Sequence, residues 1–156
     1  MKKSETLGNP INTIKLVLPS LSINEGIARS VIASFCSYYG PTATDIADIK
    51  CAVSEAVTNC IVHAYKNGIG IIYITAEAFS NSTVKIIVRD KGCGIADVKQ
   101  ARTPLFTTDA ESERSGLGFT VMESFMDKLS VRSKEGRGTT VIMWKHLGVL
   151  ETSSLK

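Results

Sequence analysis

Four short stretches hold residues whose types and spacing suit chemistry. In SEAVTNCIVHAY, Ser54 to Tyr65, the polar residues Glu55, Asn59 and His63 stand four apart. On a helix that is about one turn, so a carboxylate and an amide share a face. The apolar stripe from Ile46 to Ile61 falls elsewhere on the same helix and must sit on a sheet. Asn and Thr are poor helix formers, so Asn59 and Thr58 in mid-helix call for another reason. In RDKGCG, Asp90 is followed by Gly92 and Gly94, a D-x-G-x-G spacing at the end of an apolar run. A carboxylate there is placed to accept a hydrogen bond from an exocyclic amine, and the glycines permit tight turns or close approach. In RSGLGF, Ser115-Gly116-Leu117-Gly118 opens a helix, where free N–H groups and the helix dipole favour an anion. Arg114 adds a charged donor for phosphate. The fourth stretch, Gly138-Thr139-Thr140, begins the last strand.

Singly, each stretch admits a plainer account: a solvated helix face, an Asp-Gly turn, a hairpin exit. The G-x-G at Gly116 matches neither the Rossmann nor the P-loop pattern, because the third glycine and the lysine are missing.

The elements that must position these residues can be read from periodicity. Residues 11–18 alternate as a strand that Pro19 ends. Asn24 is placed to cap a helix from Glu25 to Tyr39, and Gly40-Pro41 turns the chain. Thr42 or Thr44 starts a second helix running to Tyr65, closed by Asn67-Gly68. Residues 71–79 and 83–89 form a hairpin through Asn81-Ser82. Residues 95–115 suit a long irregular loop, and loops of that length are commonly functional. A helix from Leu117 to Asp127 and two strands, Lys128 to Ser133 and Thr139 to Lys145, complete the order. The expected fold is α+β, a two-layer sandwich with helices on one face of a mostly antiparallel mixed sheet.

At 156 residues the chain suits one domain, with an extension over 1–10, a domain over 11–147 and a loose tail over 148–156. The net charge of +3 and the scattered basic residues argue against a nucleic-acid or membrane partner. The start MKKSETLGNP lacks the apolar stretch of a signal peptide. Four cysteines without C-x-x-C pairing argue against zinc and for a reducing, cytoplasmic setting.

In this order, E-x-x-x-N on a helix, D-x-G-x-G after a strand, G-x-G at a helix start and G-T-T on a strand resemble the Bergerat-type ATP-binding fold. That superfamily includes gyrase, the Hsp90 chaperones, histidine kinases and MutL. The resemblance spans about residues 45 to 145. SEAVTNCIVHAY, PLFTTDAESERSGLGFTVMESFMD and GTTVIMWKHL resemble most the anti-sigma factors of spore-forming bacteria, the sporulation anti-sigma-F kind above the general-stress anti-sigma-B kinases.

The resemblance implies a set of roles. Asn59 offers its carbonyl to Mg²⁺, and Glu55 is the general base for a serine hydroxyl. Asp90 reads the adenine amino group, with Gly92 and Gly94 letting the chain pass close to the base. The lid lies over about 95–115. Thr107, Thr108, Arg114, Ser115, Gly116, Leu117 and Gly118 hold the nucleotide, and Thr139 or Thr140 helps hold the adenine. The resemblance assigns His63 no role; lying only partly on the apolar stripe, it reads as a structural hydrogen-bonding histidine. The implied cofactors are ATP or ADP with Mg²⁺. The implied partners are a sigma factor, sigma-F, kept from RNA polymerase, and an anti-anti-sigma factor phosphorylated on serine. Arg29 is implied as a partner contact, and a homodimer as the assembly. Three other readings stay open: a nucleotide-dependent sigma-binding module without kinase activity, a general-stress-type anti-sigma-B kinase, and a Bergerat-fold ATPase or detached histidine-kinase domain.

Overall fold

The computed structural model describes residues 6–104 and 117–148. Thr107, Thr108, Arg114, Ser115 and Gly116 therefore lie outside the described residues, as do the outer ends of the chain. The elements run β1 (Asn12–Pro19), α1 (Ile23–Ser37), α2 (Ala43–Asn59), a π-helical turn (Cys60–Ala64), β2 (Ile71–Ala78), β3 (Thr83–Asp90), α3 (Val98–Ala101), α4 (Gly118–Phe125), β4 (Lys128–Lys134) and β5 (Gly138–His146). The five strands form one sheet in the order β1-β2-β3-β5-β4. Every neighbouring pair is antiparallel.

Strand parity decides what faces the helices. On β2, Ile72, Ile74, Ala76 and Ala78 are buried, and on β3 so are Val84, Ile86 and Val88. Side chains alternate along a strand, so Asp90 inherits the same inward side. On β5 the inward series is Val141, Met143 and Lys145, all buried. Ile49, Val53, Ala56, Val57 and Cys60 of the second helix pack with these strands in one core cluster, together with Ile32 and Cys36 of α1. This is the stripe that periodicity picks out.

Local chemistry sets the helix ends. Thr42, not Thr44, caps α2: its hydroxyl accepts from Asp45 N, and the Asp45 carboxylate accepts from Thr42 N, a reciprocal capping box. Asn24 does not cap α1. It lies inside the first turn, buried, and its amide donates to the Pro19 carbonyl at 2.8 Å, tying the helix start to β1. The long second helix keeps α geometry only to Asn59. A widened π turn then carries it to Ala64 and leaves the Ala64 carbonyl to accept from Cys93 N at 3.0 Å. Such turns concentrate at functional sites. The stretch expected as irregular contains a short helix, α3, because the Asp97 side chain accepts from Gln100 N at 2.9 Å and caps it.

Candidate functional site

A cavity of about 690 Å³ opens between α2, the ends of β3 and β5, α3 and the start of α4. That is within the roughly 300–1,000 Å³ typical of small-molecule sites. Asp90 forms its floor, 5% exposed. Its Oδ1 accepts from Gly92 N at 2.9 Å and Thr139 N at 3.2 Å. Its Oδ2 lies 3.5 Å from the Cys60 thiol, which also reaches the Ala56 carbonyl at 3.4 Å. Burial, and then the Asp90 charge, push the Cys60 thiol far up, so it stays a donor. One carboxylate oxygen is thus fixed by two backbone donors, while the other meets, among the described residues, only a weak S–H donor.

The glycines serve the same floor. Gly94 adopts φ +71°, and a Cβ there would lie 2.1 Å from the Lys134 carbonyl. A Cβ on Gly92 would lie 2.3 Å from the Ala64 carbonyl. Both close approaches are to the protein's own backbone. Gly94 lines the cavity and Gly92 does not; Gly92 acts through the hydrogen bond it gives Asp90. Tyr65 braces the same strand end, its hydroxyl accepting from Lys91 N at 2.8 Å and donating to the Ile71 carbonyl at 2.7 Å.

Glu55 and Asn59 line the opposite wall, both half-buried. Gly118, at the start of α4, faces them: a Cβ there would stand 3.1 Å from Glu55 Oε2 and 3.4 Å from Asn59 Oδ1. The described residues offer neither side chain a hydrogen bond or ion pair. Leu117 and Gly118 line the cavity together with Thr139. Thr140 is paired with Arg89 and sits on the outer face, so the two threonines are separated by parity. The Thr139 hydroxyl is within 2.8 Å of Ser133 Oγ, and its backbone N–H braces Asp90.

Arg29 does not reach the cavity. It pairs with Glu25 at 3.0 Å on α1, with its side chain 45% exposed. Glu25 also accepts from Ser54, the residue before Glu55, so a polar chain links Arg29 to that wall. His63, in the π turn, lines the cavity and its carbonyl accepts from the Cys93 thiol at 3.2 Å. Ile95, Ala96, Asp97 and Gln100, which the sequence places in the lid without individual roles, form a further wall of the cavity; Asp97 ahead of V-K-Q is the local signal for the cap of α3.

An amide oxygen beside a carboxylate is a poor closed cage for a cation. It suits Mg²⁺, which keeps waters and takes one or two protein oxygens together with substrate phosphates. The arrangement can therefore recognise an amine at Asp90 and place a metal-bound phosphate near Glu55, some of its anchoring N–H groups coming from the start of α4.

Comparison with known proteins identifies relatives of the whole domain. Residues 19–145 match the family model of the histidine kinase-like ATPase domain. The anti-sigma F factor of Caldanaerobacter subterraneus subsp. tengcongensis is 55% identical over 137 residues, covering 88% of this chain and 95% of that one. Among solved structures, the RsbU and RsbW domains of a Mycobacterium tuberculosis protein align with a TM-score of 0.64 at 21% identity, covering 88% of this chain and 33% of that chain. Full-length ShkA in complex with AMPPNP aligns with a TM-score of 0.55 at 20% identity, covering 85% of this chain and 31% of that chain.

Proposed function

The chain belongs to the histidine kinase-like ATPase family and, within it, to the anti-sigma F factors, and on that premise we propose that it is an ATP-dependent serine kinase that also sequesters a sigma factor. The observation that carries this reading is the convergence of Glu55, Asn59 and Gly118 on the cavity whose floor is Asp90.

Asp90 Oδ2 accepts the adenine amino group while Oδ1 stays bound to the backbone. Asn59 holds Mg²⁺ through its amide oxygen, and the metal, when bound, neutralises phosphate charge. The start of α4, with Leu117 and Gly118, anchors phosphate, joined by Thr107, Thr108, Arg114 and Ser115 of the lid over about 95–115 and by Gly116 just after it. Thr139 supports the adenine side by holding Asp90. Glu55 takes the proton of a partner serine hydroxyl as that oxygen bonds to the γ-phosphorus, and the bond to the bridging oxygen breaks to release ADP. The serine belongs to an anti-anti-sigma factor, which phosphorylation inactivates. The sigma factor is sigma-F, held away from RNA polymerase, with Arg29 at the contact and nucleotide state choosing the partner. The working form is a cytoplasmic homodimer with domain limits at about 11 and 147. No helix among the described residues is long and apolar enough to cross a membrane.

The test incubates the protein with labelled ATP, Mg²⁺ and the anti-anti-sigma factor. Acid-stable label on a partner serine is the expected result. Acid-labile label on histidine, or nucleotide-dependent sigma binding without any label, overturns the kinase assignment.

A further inference from the structure

The basic residues look scattered along the sequence, but the fold gathers them. The outward positions of the sheet take no part in the core cluster that joins strands to helices. Register sets them in three rows across the strands. One row is Val17, Tyr73, Arg89, Thr140 and Arg132. The middle row is Lys15, Thr75, Ile87, Ile142 and Ser130. The third is Thr13, Glu77, Lys85, Trp144 and Lys128. Lys91, just past the end of β3 and over the Tyr73 ring, and Lys134, the last residue of β4, lie two residues beyond the first row.

This face carries seven cations against one carboxylate, Glu77, which Lys85 engages at 3.2 Å. The remaining six make no ion pair among the described residues. Their surplus exceeds the +3 of the whole chain, so the rest of the protein is net acidic. Concentrated charge of one sign steers a partner of the other.

The apolar residues narrow the partner. Ile87, half-buried, and Ile142, 8% exposed, form a narrow strip in the middle row, with Tyr73 on one flank and Trp144 on the other. The basic rows lie four residues apart along the strands, about 13 Å, close to the roughly 10–12 Å diameter of a helix. The aromatic rings are not open platforms for stacked bases: Arg89 and Lys91 lie 5.4 and 5.2 Å from the Tyr73 centroid, and Lys128 lies 4.8 Å from that of Trp144. That disfavours single-stranded nucleic acid, which needs free aromatic faces.

We propose that the uncovered sheet face docks an acidic amphipathic helix of a partner protein. Its apolar stripe lies along Ile87 and Ile142, and its flanking carboxylates meet Arg89 and Arg132 on one side and Lys128 on the other. The site is separate from the cavity and does not depend on the kinase assignment.

The test uses a labelled designed helix with leucine on one stripe and glutamate on both flanks, plus twins carrying glutamine or lysine instead, read by fluorescence anisotropy. The glutamate helix binds at least about tenfold tighter than the glutamine twin and weakens as salt rises. Arg89→Glu with Arg132→Glu shrinks the preference for the glutamate helix over the glutamine twin at least severalfold, while the thermal melt stays that of a folded protein. Lys128→Glu, on the opposite row, gives an independent loss if the double variant does not fold. Equal binding of the glutamate and glutamine helices overturns the proposal. So does unchanged binding in folded variants, or displacement of the peptide by a duplex or single-stranded oligonucleotide.

Discussion

The two walls of the cavity are built to opposite standards. At the floor, Asp90 is buried, held by two backbone donors and faced by a thiol, with glycines packed against neighbouring backbone behind it. On the facing wall, Glu55 and Asn59 are half-buried and none of the described residues bonds their side chains. A group that recognises must be fixed before the ligand arrives, because ordering it later subtracts from affinity. A group that takes a proton must stay free to meet it. Under the proposed function, the floor couples to folding and the wall to turnover.

The strongest way to break this contrast is at Glu55. Glu55→Gln keeps the shape and removes the proton acceptor. Serine phosphorylation should fall by about 10²–10⁴-fold, the usual worth of a general base. ATP affinity and melting temperature should hardly move, since the carboxylate supports no other described side chain. Phosphorylation at the wild-type rate would remove Glu55 from the chemistry, and a large drop in melting temperature would erase the contrast between the walls.

Asp90→Asn should do the reverse. Hydrogen bonds to a charged group are worth about 1.5–3 kcal/mol, so a weakened contact to the adenine amine should cost roughly tenfold or more in nucleotide affinity. The same substitution weakens the acceptor for Gly92 and Thr139, so the melting temperature should fall as well. Calorimetric titration with ATP and a thermal melt test both halves. Lost affinity with unaltered stability would mean that Asp90 is not part of the folded frame.

Much of the floor was legible in the sequence because it lies within single elements. Asp90 follows Val84, Ile86 and Val88 at a spacing of two, and that alone turns it inward. The α2 stripe and the Thr42 cap follow the same kind of local rule. The π turn after Asn59 was not legible, because it depends on the Ala64 carbonyl meeting Cys93, 29 residues away in sequence. Thr139 and Thr140 could not be separated before the register of β5 against β3 was known. Lys145 looked like a terminal strand lysine. It is buried instead, 3.1 Å from Asp48 and 2.8 Å from the Phe125 carbonyl, in contacts that cross three elements.

A smaller effect comes from outside the cavity. Burial raises the Asp45 pKa, but backbone hydrogen bonds from Gly148 and Thr42, the Thr42 hydroxyl and the Lys145 charge outweigh it and hold the carboxyl below its usual range. Its folded pKa is therefore depressed. The stability it adds is present above the unfolded value of about 3.9 and is lost as pH falls through the lower folded value. Asp45→Asn should lower the melting temperature by about 3 °C at neutral pH and flatten its decline below about pH 4. Parallel melting curves against pH for the two proteins would assign the acid sensitivity to other carboxylates.

The smallest expected effect lies where the two walls meet. Cys60 follows directly on the helix that carries Glu55 and Asn59, yet its thiol points to Asp90 Oδ2, the oxygen proposed to read the adenine amine. A thiol is a weak donor, so an arriving amine displaces it at little cost. Cys60→Ala should therefore change ATP affinity by less than about threefold, and lower stability by about 1 kcal/mol for the lost sulfur volume. Cys60→Ser is the sharper probe. A hydroxyl at this place is a stronger donor to Oδ2 and competes with the adenine amine, so nucleotide affinity should fall below that of the alanine variant. Equal affinities in the serine and alanine variants would mean that Oδ2 is not where the base is read, and the floor would then act through its backbone alone.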